Sequence, residues 1–380
     1  MNFDRLTNFL NWLVDWRIPG LDIMVAKDGE TVYRYQAGYK DREQGVKMQG
    51  DELYQIYSAS KVVTCAAALT LYEQGKFLLS DPVSEFIPEY AHLNVKRVKP
   101  NGEVVIEPAR KVMTLRQLFA MTSGLTYDLN SPAILETVDR TGGKAPTLEI
   151  AKAIAREPLV FEPGEYWRYS LSHDVLAAVV EVVSGMSFGE YVKKAIFEPC
   201  GMKESAFLME DEMKPRLAKQ YKFDDSKGVY EPITQHNEYV LGTEYESGGA
   251  GMISSVEDYM RFGRMMTRMG VSDNGERVLS PGTIELMRTN HLGEKQLRSF
   301  DWERFLGYGY GLGVRTMMDR SVSGSTGPVG EFGWGGAAGA YVLLDPENGL
   351  TAYYGQQMRN NQEGFVHPRL RNLIYACMEL

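Results

Sequence analysis

The chain has 380 residues, 44% of them hydrophobic and 24% charged, enough for one large or two modest compact units of ordinary globular composition. That composition excludes a disordered tail, a collagen-like fibre and a disulfide-stapled miniprotein. A formal charge of −9 repels phosphate backbones and argues against a nucleic-acid partner unless basic residues cluster locally.

In chain order, Leu6, Phe9, Leu10, Leu13 and Val14 follow helical spacing up to Pro19-Gly20. Asp4, Arg5, Asn8, Asn11 and Asp15 interrupt them, so this is no signal peptide. No apolar run reaches the roughly 18 residues of a membrane span, and a cytoplasmic location is expected. Leu21 to Ala26 and Thr31 to Ala37, joined by Asp28-Gly29, read as a hairpin. Helices are expected over Ser60–Gln74, Thr114–Met121, Leu148–Ala155, Ser172–Ser184, Phe188–Phe197 and Val256–Met269, with a further start at Asp81-Pro82. The wetter stretches are 94–112, 137–146, 221–245 and 318–332. Within the first, Lys96, Arg97, Lys99, Arg110 and Lys111 are diluted by Glu103 and Glu107 and read as a solvated hairpin. Tyr308 to Thr316 reads as a strand, Gly339–Leu344 and Leu350–Gln356 as a second hairpin, and Leu370, Leu373, Ile374, Cys377 and Leu380 as the face of a last helix.

Strands at both ends with helices between them give an α+β class: an antiparallel sheet built from both termini, flanked by helices, with an inserted helical lobe. The expected division is a single catalytic unit over 1–380, with an α/β lobe of approximately 1–57 and 245–380 and a helical lobe of approximately 58–244. Cys65, Cys200 and Cys377 are odd in number and far apart, which excludes a disulfide framework and fits a reducing compartment. The five histidines show no metal-ligand spacing, so neither a metal nor a cofactor is expected.

Ser58-Ala59-Ser60-Lys61 heads an apolar segment, Val62 to Leu71, that reads as a buried helix. Residues three apart at a first helical turn share a face, which sets the Lys61 amine beside the Ser58 hydroxyl. An amine taken out of water sheds its proton more easily and can then take that of a serine, whose oxygen can attack a carbonyl. The helix N-terminus adds its dipole and free N–H groups.

With Thr122–Leu125, Phe161–Gly164, Ile196–Met202 and Ser247–Met252, the S-x-x-K motif resembles the serine β-lactamase superfamily, and within it the class C-like group and its family VIII carboxylesterase branch. The resemblance runs from the opening helix to about Met358 and implies a β-lactamase/transpeptidase-like fold. It makes Ser58 a nucleophile, Lys61 the base that activates it or tunes Tyr169, and Tyr169 a proton shuttle that also serves deacylation, matched to the tyrosine of the Y-x-N motif. Leu171 stands where β-lactamases carry the asparagine. Trp334-Gly335-Gly336, followed by Ala337, replaces K-T-G as in the esterase branch. The resemblance places Ala337 and Ser58 N–H in an oxyanion hole, while Gly335 and Gly336 let backbone approach a ligand closely. Trp334 offers no cation to a substrate carboxylate, which favours neutral esters. Tyr127, His236 and Trp302 are further candidates for the pocket wall.

Competing signatures fail their context. Gly185-Met186-Ser187-Phe188-Gly189 fits G-x-S-x-G but follows a helical rather than a strand pattern. Gly333-x-Gly335-x-x-Ala338 leads into a strand where a dinucleotide fingerprint needs a helix. Asp258, Arg261 and Arg264 read as an exposed salt-bridged helix face. The expectation is a serine hydrolase cleaving small or medium carboxylic esters through an acyl-enzyme, with a small-molecule ester or amide as substrate, no nucleic-acid or membrane partner and the oligomeric state open. The alternatives are a β-lactamase, a D-amino-acid peptidase or amidase, an acyltransferase, or a catalytically silent binding protein.

Overall fold

The computed structural model describes residues 1–379, so Leu380 of the expected last helical face lies outside the described residues. Its main sheet has eight strands, in the order Tyr308–Tyr310, Arg315–Met317, Phe332–Gly333, Tyr341–Asp345, Leu350–Gln356, Gly20–Lys27, Glu30–Asp41 and Val46–Lys47. Every pairing is antiparallel. The seam between the two ends of the chain runs through Ile23 opposite Tyr354 and Met24 opposite Tyr353.

Alternation along these strands sorts their side chains onto two faces. Leu21, Ile23, Val25, Leu343 and Tyr354 join a core with Leu6, Leu10 and Leu13 of the first helix, Asp4–Trp16, and Leu370 and Ile374 of the last, Glu363–Met378. Met24, Ala26, Val342, Leu344 and Tyr353 face the opposite core, shared with helix Val256–Thr267 and the helices between residues 58 and 244. At the centre of that core lies helix Ser60–Glu73, in which every residue from Ser60 to Leu71 is buried. Among the described residues no single helix is long and apolar enough to cross a membrane. All three cysteines are free and buried.

The first hairpin turns where expected, with Asp28 and Gly29 both at positive φ (53° and 89°), as its two-residue turn requires. The Lys96–Lys111 stretch does form a hairpin, Asn94–Val98 with Val104–Pro108. Arg97 there pairs with Glu107 and Glu162, and Lys99 with Glu103.

Several elements depart from expectation. Tyr308 to Thr316 is two short strands folded on each other, because Gly313 takes φ +85° and Gly311 N–H donates to the Val314 carbonyl at 2.7 Å, reversing the chain. Asp81-Pro82 begins only a 3₁₀ turn, Val83–Glu85: Pro82 is extended, and the Asp81 carboxylate accepts from Leu78 N–H rather than capping. Phe188–Phe197 widens into a π-turn over Lys193–Phe197, where Pro199 has no N–H to return to the Ala195 carbonyl. Helix Pro132–Arg140 occupies part of the supposed wet stretch 137–146, and Pro281–Arg288 is a further helix; each starts with a Ser-Pro pair, proline in the first turn. Asp258 and Arg264 are buried, not exposed: the carboxylate accepts from Glu204 N–H and the Ser205 hydroxyl, and Arg264 pairs with Asp273 at 2.5 Å. Gly185, left-handed at φ +71°, ends helix Ser172–Ser184, and Ser187 caps the next one through Glu190 N–H, so neither forms a nucleophile elbow.

Candidate active site

Strand Leu53–Gln55 pairs with Ile253–Ser255 and delivers the chain to a 3₁₀ turn, Tyr57–Ala59, that runs into helix Ser60–Glu73. Tyr57 takes a positive φ of 48°, a strained conformation for a bulky residue that only surrounding contacts sustain. Its hydroxyl donates to Gln220 Oε1 at 2.6 Å, and the Arg359 guanidinium lies 4.7 Å from its ring centre. Ser60 Oγ ties the turn to the neighbouring segment by accepting from Met252 N–H at 3.1 Å.

One helical turn brings Lys61 onto the face of Ser58, and its fully buried side chain donates to Ser58 Oγ at 3.2 Å, Tyr127 OH at 3.3 Å and the Gly249 carbonyl at 2.6 Å. Among the described residues no carboxylate lies within 4.0 Å of it. Its nitrogen stands 4.6 Å from the ring centre of Tyr169. Tyr169 is fixed from both sides of its loop, by Arg168 N–H on the Met121 carbonyl and Leu171 N–H on that of Thr126. Its ring stacks between Tyr127 at 5.4 Å and Trp334 at 5.7 Å, and Trp334 Nε1–H donates to its hydroxyl at 3.2 Å. Burial, then the neighbouring Tyr169 and Asp174, push the Tyr127 phenol well above its ordinary range, which keeps it a hydrogen-bond donor.

The glycine-rich segment meets this constellation through Gly336, where a Cβ would collide with the Ile56 carbonyl oxygen. Gly336 N–H donates to the Ala340 carbonyl and Gly339 N–H to that of Gly336, while the Ala337 carbonyl is held by Asn361 Nδ2 at 2.8 Å. Ala337 N–H takes part in none of these turn bonds. Ser58, Tyr127, Tyr169, Trp302, Trp334 and Gly335–Ala337 line one cavity of about 250 Å³.

His236 is not among them. It is exposed in a separate surface groove with Lys40, Met209 and Leu217. The reason is local: Asn237 is buried and bonds the Ala250 carbonyl at 2.8 Å, so Tyr239 turns inwards instead. Tyr239 packs edge-on against Tyr127 at 5.7 Å and takes the place expected for the histidine. Two other contributors are not among the expected site residues, although Gly249 lies within the Ser247–Met252 segment of the resemblance. Gly249 acts through a carbonyl, which any residue type has. Asp174 accepts from Ser247 Oγ at 2.6 Å, Tyr245 OH at 2.8 Å and Gly249 N–H at 3.3 Å, shaping the loop that holds Lys61; its one signal is an acid in the first turn of an apolar helix. No three metal-ligating side chains converge among the described residues.

Such an arrangement can move a proton off a serine beside free N–H groups, in a cavity walled by aromatic rings. The family model Beta-lactamase matches residues 9–376. Protein Rv1367c of Mycobacterium tuberculosis (strain ATCC 25618 / H37Rv) is 33% identical over 89% of this chain and 85% of its own. Esterase EstB of Burkholderia gladioli is 27% identical over 95% and 91%. Among solved structures, EstCE1, described as a hydrolase with promiscuous acyltransferase activity, is 26% identical with a TM-score of 0.79 over 98% and 97% of the two chains. The chain belongs to the beta-lactamase family of serine hydrolases, with esterases and acyltransferases among its relatives.

Proposed function

We propose that the protein hydrolyses carboxylic esters through an acyl-enzyme on Ser58. In this reading Lys61 and Tyr169 together take the Ser58 proton as Oγ bonds to the ester carbonyl carbon. The oxyanion is received by Ser58 and Ala337 N–H. The bond to the alcohol oxygen then breaks, the proton passes to the departing alcohol through Tyr169, and water enters to release the acid by the same route. The observation that carries the reading is the 3.2 Å approach of Lys61 Nζ to Ser58 Oγ inside the aromatic-walled cavity. Esters are favoured over β-lactams because Leu171 is buried hydrocarbon and Trp334 donates to Tyr169, where an asparagine and a lysine would have met the amide and its carboxylate.

A fluorophosphonate is expected to label Ser58, and Ser58→Ala to lower para-nitrophenyl butyrate hydrolysis by at least about 10³-fold. A label mapped to Ser187, or a chromogenic cephalosporin cleaved much faster than the ester, overturns the proposal. The likeness to EstCE1 supports acyl transfer as a second reading. Added alcohols then yield a new ester in place of free acid.

A further inference from the structure

The cavity that holds Ser58 also reaches the last helix, where Arg304, Glu363, His367 and Arg371 line it. Gly335 lies between the two ends. A Cβ there would stand 3.3 Å from His367 Cε1, so the missing side chain leaves the passage open.

Charges at this end do not balance. Arg315 is matched by Glu331 at 2.7 Å, and the second oxygen of that carboxylate accepts from Tyr308 OH at 2.9 Å. Arg304, at the rim, is matched by Glu363 at 2.8 Å. Arg371 is only 4% exposed, yet among the described residues no carboxylate lies within 4.0 Å of it. Its Nε donates to the Ser325 hydroxyl at 2.8 Å and its guanidinium lies 5.2 Å from the Tyr308 ring centre. His367 adds no further positive charge: Nε2–H donates to the Gly339 carbonyl at 3.2 Å, and burial holds the imidazole down to about 3. A buried guanidinium that touches a cavity without a carboxylate of its own is built to receive one, because its planar fork matches that group.

We propose that the far end of the cavity is a carboxylate subsite, in which Arg371 receives the carboxylate of an ester whose carbonyl lies at Ser58. The inference rests on the ester-hydrolase reading and names its substrate class: esters carrying one carboxylate, on either the acyl or the alcohol half. It revises the preference for neutral esters drawn from Trp334, since the cation comes from the last helix instead.

The test compares kcat/KM for the mono-para-nitrophenyl esters of glutaric and adipic acid with para-nitrophenyl butyrate, and for phenyl butyrate with and without a para carboxylate. At least one carboxylate-bearing ester is expected to exceed its neutral counterpart about tenfold or more. Arg371→Gln then lowers that ratio about tenfold, and Arg371→Lys restores part of it. Equal rates in the unaltered protein, or an unchanged ratio in an Arg371→Gln protein whose Ser58 still takes the fluorophosphonate, overturn the subsite. If Arg371→Gln fails to fold, inhibition of the unaltered protein decides. Competitive inhibition by glutarate and not by glutaramide supports the subsite, and any other pattern overturns it. Turnover of neutral esters with a labelled Ser58 but no carboxylate preference removes the subsite alone, whereas an unlabelled Ser58 and inert esters remove the hydrolase reading as well.

Discussion

Around Lys61 the two tyrosines differ in what each can do. Tyr127 accepts a hydrogen bond from the lysine and is held protonated by its surroundings, so it can donate its own hydrogen but cannot serve as a base at working pH. Tyr169 offers its ring to the lysine and receives a donor from Trp334, leaving its oxygen free to pass a proton. Kinetics on para-nitrophenyl butyrate are therefore expected to show kcat/KM falling about 10²–10³-fold in Tyr169→Phe but only about tenfold in Tyr127→Phe; the reverse order would make Tyr127 the shuttle. His173 supplies a second residue-level prediction. It lies against Cys65 at 3.6 Å and donates to the Phe119 carbonyl at 3.1 Å. Burial, with the Lys61 charge adding to it, holds its pKa down to about 3 from 6.5. Unfolded chain thus binds a proton between pH 6.5 and 3 that folded chain refuses, and acidification across that window drains stability, by about 3 kcal/mol at pH 4. Asp22 and Glu181, each raised by burial to about 7, work in the opposite direction but are common to both proteins in the comparison. Melting temperatures measured from pH 6.5 to pH 4 should fall less steeply in His173→Gln than in the unaltered protein.

Between elements, the decisive contact is the close approach of Gly336 to the Ile56 carbonyl, two residues before Ser58, since the proposed oxyanion hole needs Ala337 N–H to stay near that turn. In Gly336→Ala the added methyl has to push the two segments apart. An about 10²-fold loss in kcat is expected with KM nearly unchanged, because the oxyanion donors separate while the aromatic walls stay in place. The same elements show what a sequence can disclose. Asp28-Gly29 and the apolar spacings of the end helices are local instructions, and helix Ser172–Ser184 has the bounds its pattern implies. Ser58 and Lys61 are legible because helical geometry alone sets residues three apart on one face. Tyr169 and Trp334 have no such local signal and came from family resemblance. Gly249 acts through its carbonyl, and Tyr239 displaced His236 because the buried Asn237 orients that loop. The glycines from 307 to 313 fit one strand by spacing alone; the left-handed Gly313 decides otherwise.

Across the whole molecule, the central seam of the sheet joins Gly20–Lys27 to Leu350–Gln356, strands more than three hundred residues apart in sequence. During synthesis at roughly 5–20 residues per second, the first hairpin waits on the order of 15–65 s before its partner exists. Throughout that interval Gly20–Lys27 is an unpaired edge of apolar sequence, the kind that recruits other chains. Contacts of such span also slow folding, whereas the helices around Ser60–Glu73 close over far shorter separations. Pulse-labelled hydrogen exchange during refolding should find amides of Ser60–Glu73 and Ser172–Ser184 protected before those of Gly20–Lys27; simultaneous protection would contradict this order. The pairing of the two ends is therefore also a clock: the chain is most vulnerable to aggregation while it is still attached to the ribosome, and least so once its last strand has been added.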